Sequence, residues 1–128
     1  MDFTRVNSLE EIKIVSDLAY LLFPEDYGGY VRKSHIQFFL DKYQSETAIA
    51  QQIEAGYIYF ILHEKDKVIG YFGFEIADSV LKLSKIYLIS AVRNKGLGEE
   101  AMFWLENYGR KHKCSQMELL VLLENKSA

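Results

Sequence analysis

A chain of 128 residues, with 15 lysines and arginines against 18 aspartates and glutamates, has room for one hydrophobic core and not two. A net charge of -3 argues against a dedicated nucleic-acid binder, and the single cysteine, Cys114, excludes an internal disulfide or a multi-cysteine metal centre. With 49% hydrophobic and 26% charged residues the balance is that of a folded globular chain.

No apolar run approaches the roughly 18–20 residues that a membrane helix requires. The opening, MDFTRVNSLEEI, carries acids where an export signal needs a basic segment and an apolar run. His35, His63 and His112 stand at no metal-ligand spacing. The expectation is one domain, residues 1–128, in the reducing cytoplasm, with no membrane, nucleic-acid or metal partner.

Phe3-Thr4-Arg5-Val6 predicts a short strand. Ser8-Leu9-Glu10-Glu11 has the form of a capping box, and Ile12, Val15, Ala19 and Leu22 follow at helical spacing, so a helix is predicted from about Ser8 to Phe23. Pro24 and Gly28-Gly29 are expected to end it in a loop that carries Glu25 and Asp26. A second helical region runs from about Val31 to Ala55, with a break near Gln44-Ser45 where Ser45 can cap the second piece, and Gly56 closes it.

The period then changes from helical to strand-like. Tyr57 to His63 is aromatic and β-branched, Val68 to Ile76 reads as the returning strand, and Val80 to Leu88 as a third. The turns at Lys65-Asp66-Lys67 and Ala77-Asp78-Ser79 are too short for crossovers, which predicts an antiparallel meander. An amphipathic helix follows, with Ala101, Met102, Leu105, Tyr108 and His112 on one face, and then a last apolar strand from Met117 to Leu123. Strand, turn, helix and strand make a crossover unit, so these two strands should lie parallel.

The chemistry concentrates between Ile86 and Glu99. A strand runs into Arg93-Asn94-Lys95-Gly96-Leu97-Gly98, and a helix starts at once. The first turn of a helix offers unpaired N–H groups and a partial positive charge, glycines let a diphosphate approach the backbone, and Arg93 and Lys95 add charge. This predicts an anion site for a phosphorylated cofactor. It is not a P-loop, since no GxxxxGK[ST] run exists, and it follows a meander rather than opening a dinucleotide-binding βαβ unit.

With these residues on the page, the chain resembles the GCN5-related N-acetyltransferase (GNAT) superfamily, whose signature Q/R-x-x-G-x-G/A is matched by Arg93 to Gly98. Ile86-Tyr87-Leu88 stands where the family has its strand end before the turn, and the order of elements is the family's from Phe3 to Ala128. Leu83-Ser84-Lys85-Ile86-Tyr87-Leu88, with Gly70-Tyr71 before it, is similar to the polyamine/PaiA-like branch. The resemblance implies an α/β (α+β) fold with a mixed, mostly antiparallel central sheet flanked by helices. It implies acetyl-CoA as cofactor, with the backbone of Ile86, Tyr87 and Leu88 on the acetyl carbonyl and pantetheine arm. The N–H groups from Arg93, Asn94, Lys95, Gly96, Leu97, Gly98 and Glu99 would hold the pyrophosphate. Asn125 matches an asparagine that touches the cofactor.

In the family a further helix, bearing a tyrosine that protonates the leaving thiolate, and two more strands follow this asparagine. That tyrosine would fall about seven residues beyond Asn125, past Ala128. The expectation is a C-terminally incomplete fold with an exposed apolar edge at the last strand, which offers a surface for a homodimer. The implied reaction is direct attack of a primary amine, a small molecule or polyamine, on acetyl-CoA. The alternative is a CoA-binding fragment or interaction module of impaired catalysis. Glu75, in an otherwise apolar strand, is the candidate base, or else an edge-facing carboxylate. Tyr27, Tyr30, Tyr57, Tyr59 and Tyr71 can line an acceptor pocket or belong to the core.

Overall fold

The structure is a computed structural model that describes residues 1–29, 31–92 and 96–119. In chain order it forms β1 (Asp2–Arg5), α1 (Leu9–Tyr27), α2 (Lys33–Tyr43) and α3 (Glu46–Glu54). The meander β2 (Ile58–Glu64), β3 (Lys67–Ala77) and β4 (Val80–Leu88) follows, then α4 (Leu97–Lys111) and β5 (Gln116–Leu119). The described strands make one sheet in the order β1-β2-β3-β4-β5, antiparallel except for the β4–β5 pair. That mixed α/β architecture is the one expected, and both hairpin turns are two residues long. Lys65-Asp66 and Asp78-Ser79 hold positive φ, as the right-handed twist of a tight hairpin demands.

Local signals set most helix ends. The Ser8 hydroxyl accepts from the Glu11 N–H at 3.2 Å, and the Glu11 carboxylate accepts from the Ser8 N–H at 3.1 Å. Ser45 accepts from the Ala48 N–H and separates α2 from α3, as predicted. The expectation for Pro24 is corrected, because α1 continues through it to Tyr27. Proline removes one N–H and crowds the preceding turn, yet the extra turn buries Tyr27 against Phe23, ring centroids 4.4 Å apart, while Phe23 stacks on Phe39 of α2. Glu25 and Asp26 therefore belong to a helix and not to a loop.

The sheet separates two cores. Tyr59, Ile61, Tyr71 and Tyr87 pack under α1, α2 and α3, whereas Phe60, Leu62, Phe72, Phe74 and Leu88 pack under α4. Strict alternation would turn half of β4 the wrong way. Gly73 pairs with Lys85 and Phe74 with Leu83, so Ser84 is an extra residue, and this bulge lets Leu81, Leu83, Ile86 and Leu88 all face α4. On α4, Ala101 and Leu105 are buried as the helical spacing predicts. Trp104 adds the largest contact, stacking on Phe3 at 4.4 Å and meeting Phe60 edge-on at 4.7 Å. These rings fix where the first turn of α4 stands relative to the end of β4.

Candidate active site

After Leu88 a short 3-10 turn (Ser90–Val92) leads towards α4, which starts at Gly96 with φ 76° and ψ 4°. That left-handed conformation is open to glycine at no steric cost. No side chain caps this helix start, and its first backbone bond runs from the Glu100 N–H to the Gly96 carbonyl at 3.2 Å. Helix geometry leaves the amides of Leu97, Gly98 and Glu99 without partners inside the helix. At Gly98 an added Cβ would meet nothing within 4 Å, so packing does not require a glycine there. A glycine in a helix costs about 0.5–1 kcal/mol against alanine. What it provides here is bare backbone at a positive helix end, the chemistry of an anion site.

Ile86, Tyr87 and Leu88 are buried at the end of β4, immediately before this turn. Gly70 lies opposite Leu88, and a Cβ at Gly70 would collide with the Tyr87 carbonyl oxygen, so β3 and β4 approach closely where β4 ends. Arg93, Asn94, Lys95 and Asn125 lie outside the described residues.

A polar patch sits on the sheet face that the three N-terminal helices cover in part. The Lys85 ammonium donates to the Tyr57 hydroxyl at 3.2 Å and lies 4.4 Å from the centroid of the Tyr57 ring. The Tyr57 hydroxyl is also in hydrogen-bond contact with Ser84. Glu75 is exposed on the same face, directly across from Lys82. Among the described residues no carboxylate reaches ion-pair distance of Lys85. Burial lowers the Lys85 ammonium to a pKa of about 8, only partly opposed by the charge on Glu75. Burial likewise pushes the Tyr57 hydroxyl up to about 12, with Ser84 pulling the other way and Glu75 adding to the rise.

These shifts give a stability prediction. Below about pH 8 the folded chain holds the Lys85 charge at a cost, and between about 8 and 10 the unfolded chain binds more protons at this site. Stability from Lys85 therefore increases with pH across that window, before Tyr57, whose raised pKa acts in the opposite direction, begins to titrate. Urea midpoints measured across the window are expected to rise relative to those of Lys85→Met. Parallel curves for the two proteins would show that Lys85 is not desolvated.

Gly73 sits beneath this patch. A Cβ there would fall 2.8 Å from Cε1 of Tyr57 and 3.0 Å from Cε1 of Tyr59. Gly73→Ala is expected to cost about 1–3 kcal/mol by overpacking and to displace Tyr57 from Lys85, visible as a changed tyrosine fluorescence and a lower urea midpoint.

The remaining sequence candidates divide cleanly. Tyr27, Tyr59 and Tyr71 are buried in the core beneath the N-terminal helices. Tyr30 lies outside the described residues. His112 stacks on Tyr108 at the end of α4, and among the described residues no group of His, Cys, Asp and Glu can hold a metal. Among the described residues no helix is long and apolar enough to cross a membrane. In sequence, Ser84 and Lys85 stood only within the stretch similar to the PaiA-like branch and not among the site candidates. Two consecutive polar residues do interrupt the alternation of β4 where it bulges, but nothing local in sequence gathers them into a patch with Tyr57.

Comparison with known proteins places this geometry. No curated protein matches the chain in sequence. Among solved structures, the PaiA N-acetyltransferase of Thermoplasma acidophilum, in complex with coenzyme A, superposes with a TM-score of 0.78 at 15% identity, over 93% of this chain and 79% of that one. A predicted acetyltransferase of Clostridium acetobutylicum with acetyl-CoA gives 0.66 at 10% identity, over 92% and 79%. The aminoglycoside 6'-N-acetyltransferase of Acinetobacter haemolyticus gives 0.65 at 14% identity, over 98% and 83%. At these identities the likeness is one of fold. The model of the acetyltransferase (GNAT) family matches residues 19–128, from the middle of α1 through the whole β4–turn–α4 unit, and so the chain belongs to the GNAT acetyltransferases.

Proposed function

We propose that the protein binds acetyl-CoA along β4 and the start of α4 and catalyses transfer of the acetyl group to a primary amine. The observation that carries the reading is the bare backbone at Gly96 and Gly98, directly after the buried strand end Ile86–Leu88, in a chain of this family. The solved relatives include structures with coenzyme A or acetyl-CoA and an aminoglycoside acetyltransferase, which supports a small-molecule amine as the acceptor.

Acetyl-CoA supplies the acetyl group as a thioester. In this reading the amides of Leu97, Gly98 and Glu99 hold the diphosphate, together with Arg93, Asn94 and Lys95 of the signature. Backbone N–H groups within Ile86 to Leu88 orient the acetyl carbonyl and stabilise the negative charge that develops on its oxygen. Asn125 is assigned a contact to the cofactor. Glu75, exposed at the open end of the sheet face, takes the proton from the acceptor ammonium through water and leaves a neutral amine. The amine nitrogen bonds to the carbonyl carbon, the carbon–sulfur bond breaks, and the thiolate leaves to be protonated.

Calorimetric titration with acetyl-CoA, followed by thiol release with a panel of amines, tests this. Wild type is expected to bind at micromolar affinity. Gly96→Asp, which places a carboxylate beside the diphosphate site and a side chain at a left-handed φ of 76°, is expected to lose the binding at some cost in stability, with circular dichroism and urea unfolding showing that it remains folded. Absence of binding by the folded wild type would overturn the reading. Binding without thiol release for any amine would leave a CoA-binding module.

A further inference from the structure

We propose that Lys85 is an acetylation site of the protein itself, its side-chain amine accepting the acetyl group from acetyl-CoA bound along β4. The inference rests on the acetyl-CoA reading above and goes beyond it by naming a residue of this chain as an acceptor. Three observations support it. Lys85 directly precedes Ile86, where the proposed acetyl-binding backbone begins, so its amine lies within one side-chain length of that segment. It stands where the Ser84 bulge interrupts β4, on the sheet face away from α4. And its head is a half-buried amine that has no ion-pair partner among the described residues, held by one hydroxyl and by the faces of Tyr57 and Tyr59 at 4.4 and 5.8 Å.

Such an amine has the two properties an acyl acceptor needs. It is close to the reacting group, which replaces a bimolecular encounter by a side-chain rotation. It is also neutral, and therefore nucleophilic, in a large fraction of molecules slightly above neutral pH, because burial depresses its pKa to about 8. The charged and titratable neighbours are Glu75 on β3, Tyr57 just before β2, Tyr59 on β2, and Lys82 on β4. Of these, Glu75 alone carries a charge that favours the ammonium, and the amine remains depressed despite it.

The step balances without another reactant. The neutral Lys85 nitrogen attacks the thioester carbonyl, a carbon–nitrogen bond forms and the carbon–sulfur bond breaks. The nitrogen loses a proton to solvent, the thiolate gains one, and the products are Nε-acetyl-Lys85 and free CoA. The product amide carries no charge, so it relieves the burial cost and keeps a group able to bond the Tyr57 hydroxyl. It would also fill the space beside Tyr57, so that the modified enzyme meets an acceptor amine with that space taken.

The test needs no knowledge of the natural acceptor. The protein is incubated with acetyl-CoA alone at about pH 7 and about pH 9, and the acetylated lysines are located and timed by peptide mass spectrometry. Calorimetric binding of acetyl-CoA is measured in parallel. The expected result is one fast acetylation, at Lys85, about tenfold faster at the higher pH. It should slow to the rate of the exposed lysines in Gly96→Asp and in urea-unfolded wild type. Binding of acetyl-CoA without preferential modification of Lys85 overturns this proposal and leaves the acetyl-CoA reading standing. Equal rates at Lys85 in Gly96→Asp overturn it as well, since the acetyl group would then arrive from solution. No binding at all overturns both.

Discussion

Gly98→Asp is expected to weaken acetyl-CoA binding about a hundredfold, close to 2.7 kcal/mol, while leaving the fold as stable as before or slightly more so. The two effects have opposite signs because they act on different things. For the folded chain the substitution is favourable: the new Cβ meets nothing within 4 Å, a helical glycine is replaced, and an acid joins the first turn of α4. Each of the last two changes is worth some tenths of a kcal/mol up to about 1. For an anion approaching the amides of Leu97 to Glu99 it is unfavourable twice over, since the side chain occupies the approach and repels the charge. Calorimetric titration gives the affinity and urea unfolding gives the stability. Unchanged affinity would mean that the diphosphate lies away from this helix start, and lost stability would mean that Gly98 serves packing after all.

That separation of sign explains why the glycines around the start of α4 stand out in the sequence. Gly98 places a residue that costs stability in the first turn of a helix, two positions after Gly96, and such a residue stands out against helical periodicity without any structure. The meander was legible for a different reason: connections too short for crossovers make consecutive strands pair antiparallel, as they do here. The capping serines were equally plain, because Ser8 and Ser45 act on residues three positions away.

Pro24 and the Lys85 patch were not legible, because both depend on contacts distant in sequence. The penalty of Pro24 is local, but what offsets it is the packing of Phe23 and Tyr27 with Phe39. No window around Pro24 contains Phe39. Lys85 has a neutral reading in sequence as a surface lysine at an ordinary strand position. Only the register that sets Lys85 opposite Gly73, and Gly73 opposite Tyr59, brings its ammonium over two tyrosine rings. Glycine at position 73 is what leaves room for them. The Lys85 patch is thus assembled from residues of β3 and β4 and from Tyr57 and Tyr59 at the start of β2, none of them adjacent to all the others in sequence.

Gln44→Leu is expected to cost about 2–4 kcal/mol of folding stability, a large part of the 5–15 kcal/mol that a domain of ordinary stability possesses. Gln44 is 1% exposed at the junction of α2 and α3. Its side-chain oxygen accepts from the Tyr71 hydroxyl at 2.6 Å, and its amide nitrogen donates to the Tyr59 hydroxyl at 3.0 Å. Its backbone carbonyl accepts from Ser16 of α1 at 2.8 Å. One residue therefore ties all three N-terminal helices to β2 and β3, the strands beneath Lys85. Leucine keeps most of the volume but removes three bonds, those to the Tyr71 and Tyr59 hydroxyls and one to the Tyr43 carbonyl at 2.6 Å, each with a net worth of about 0.5–1.5 kcal/mol, while Tyr59 keeps its bond to Gln52. The backbone bond to Ser16 survives, so the loss is a side-chain effect. A double-mutant cycle with Tyr71→Phe separates this from a packing defect. If the hydrogen bond is the cause, the double variant is less destabilised than the sum of the single ones by about 1 kcal/mol or more. Strict additivity in urea unfolding would assign the cost to packing, and the network would then hold the helices in place by shape alone.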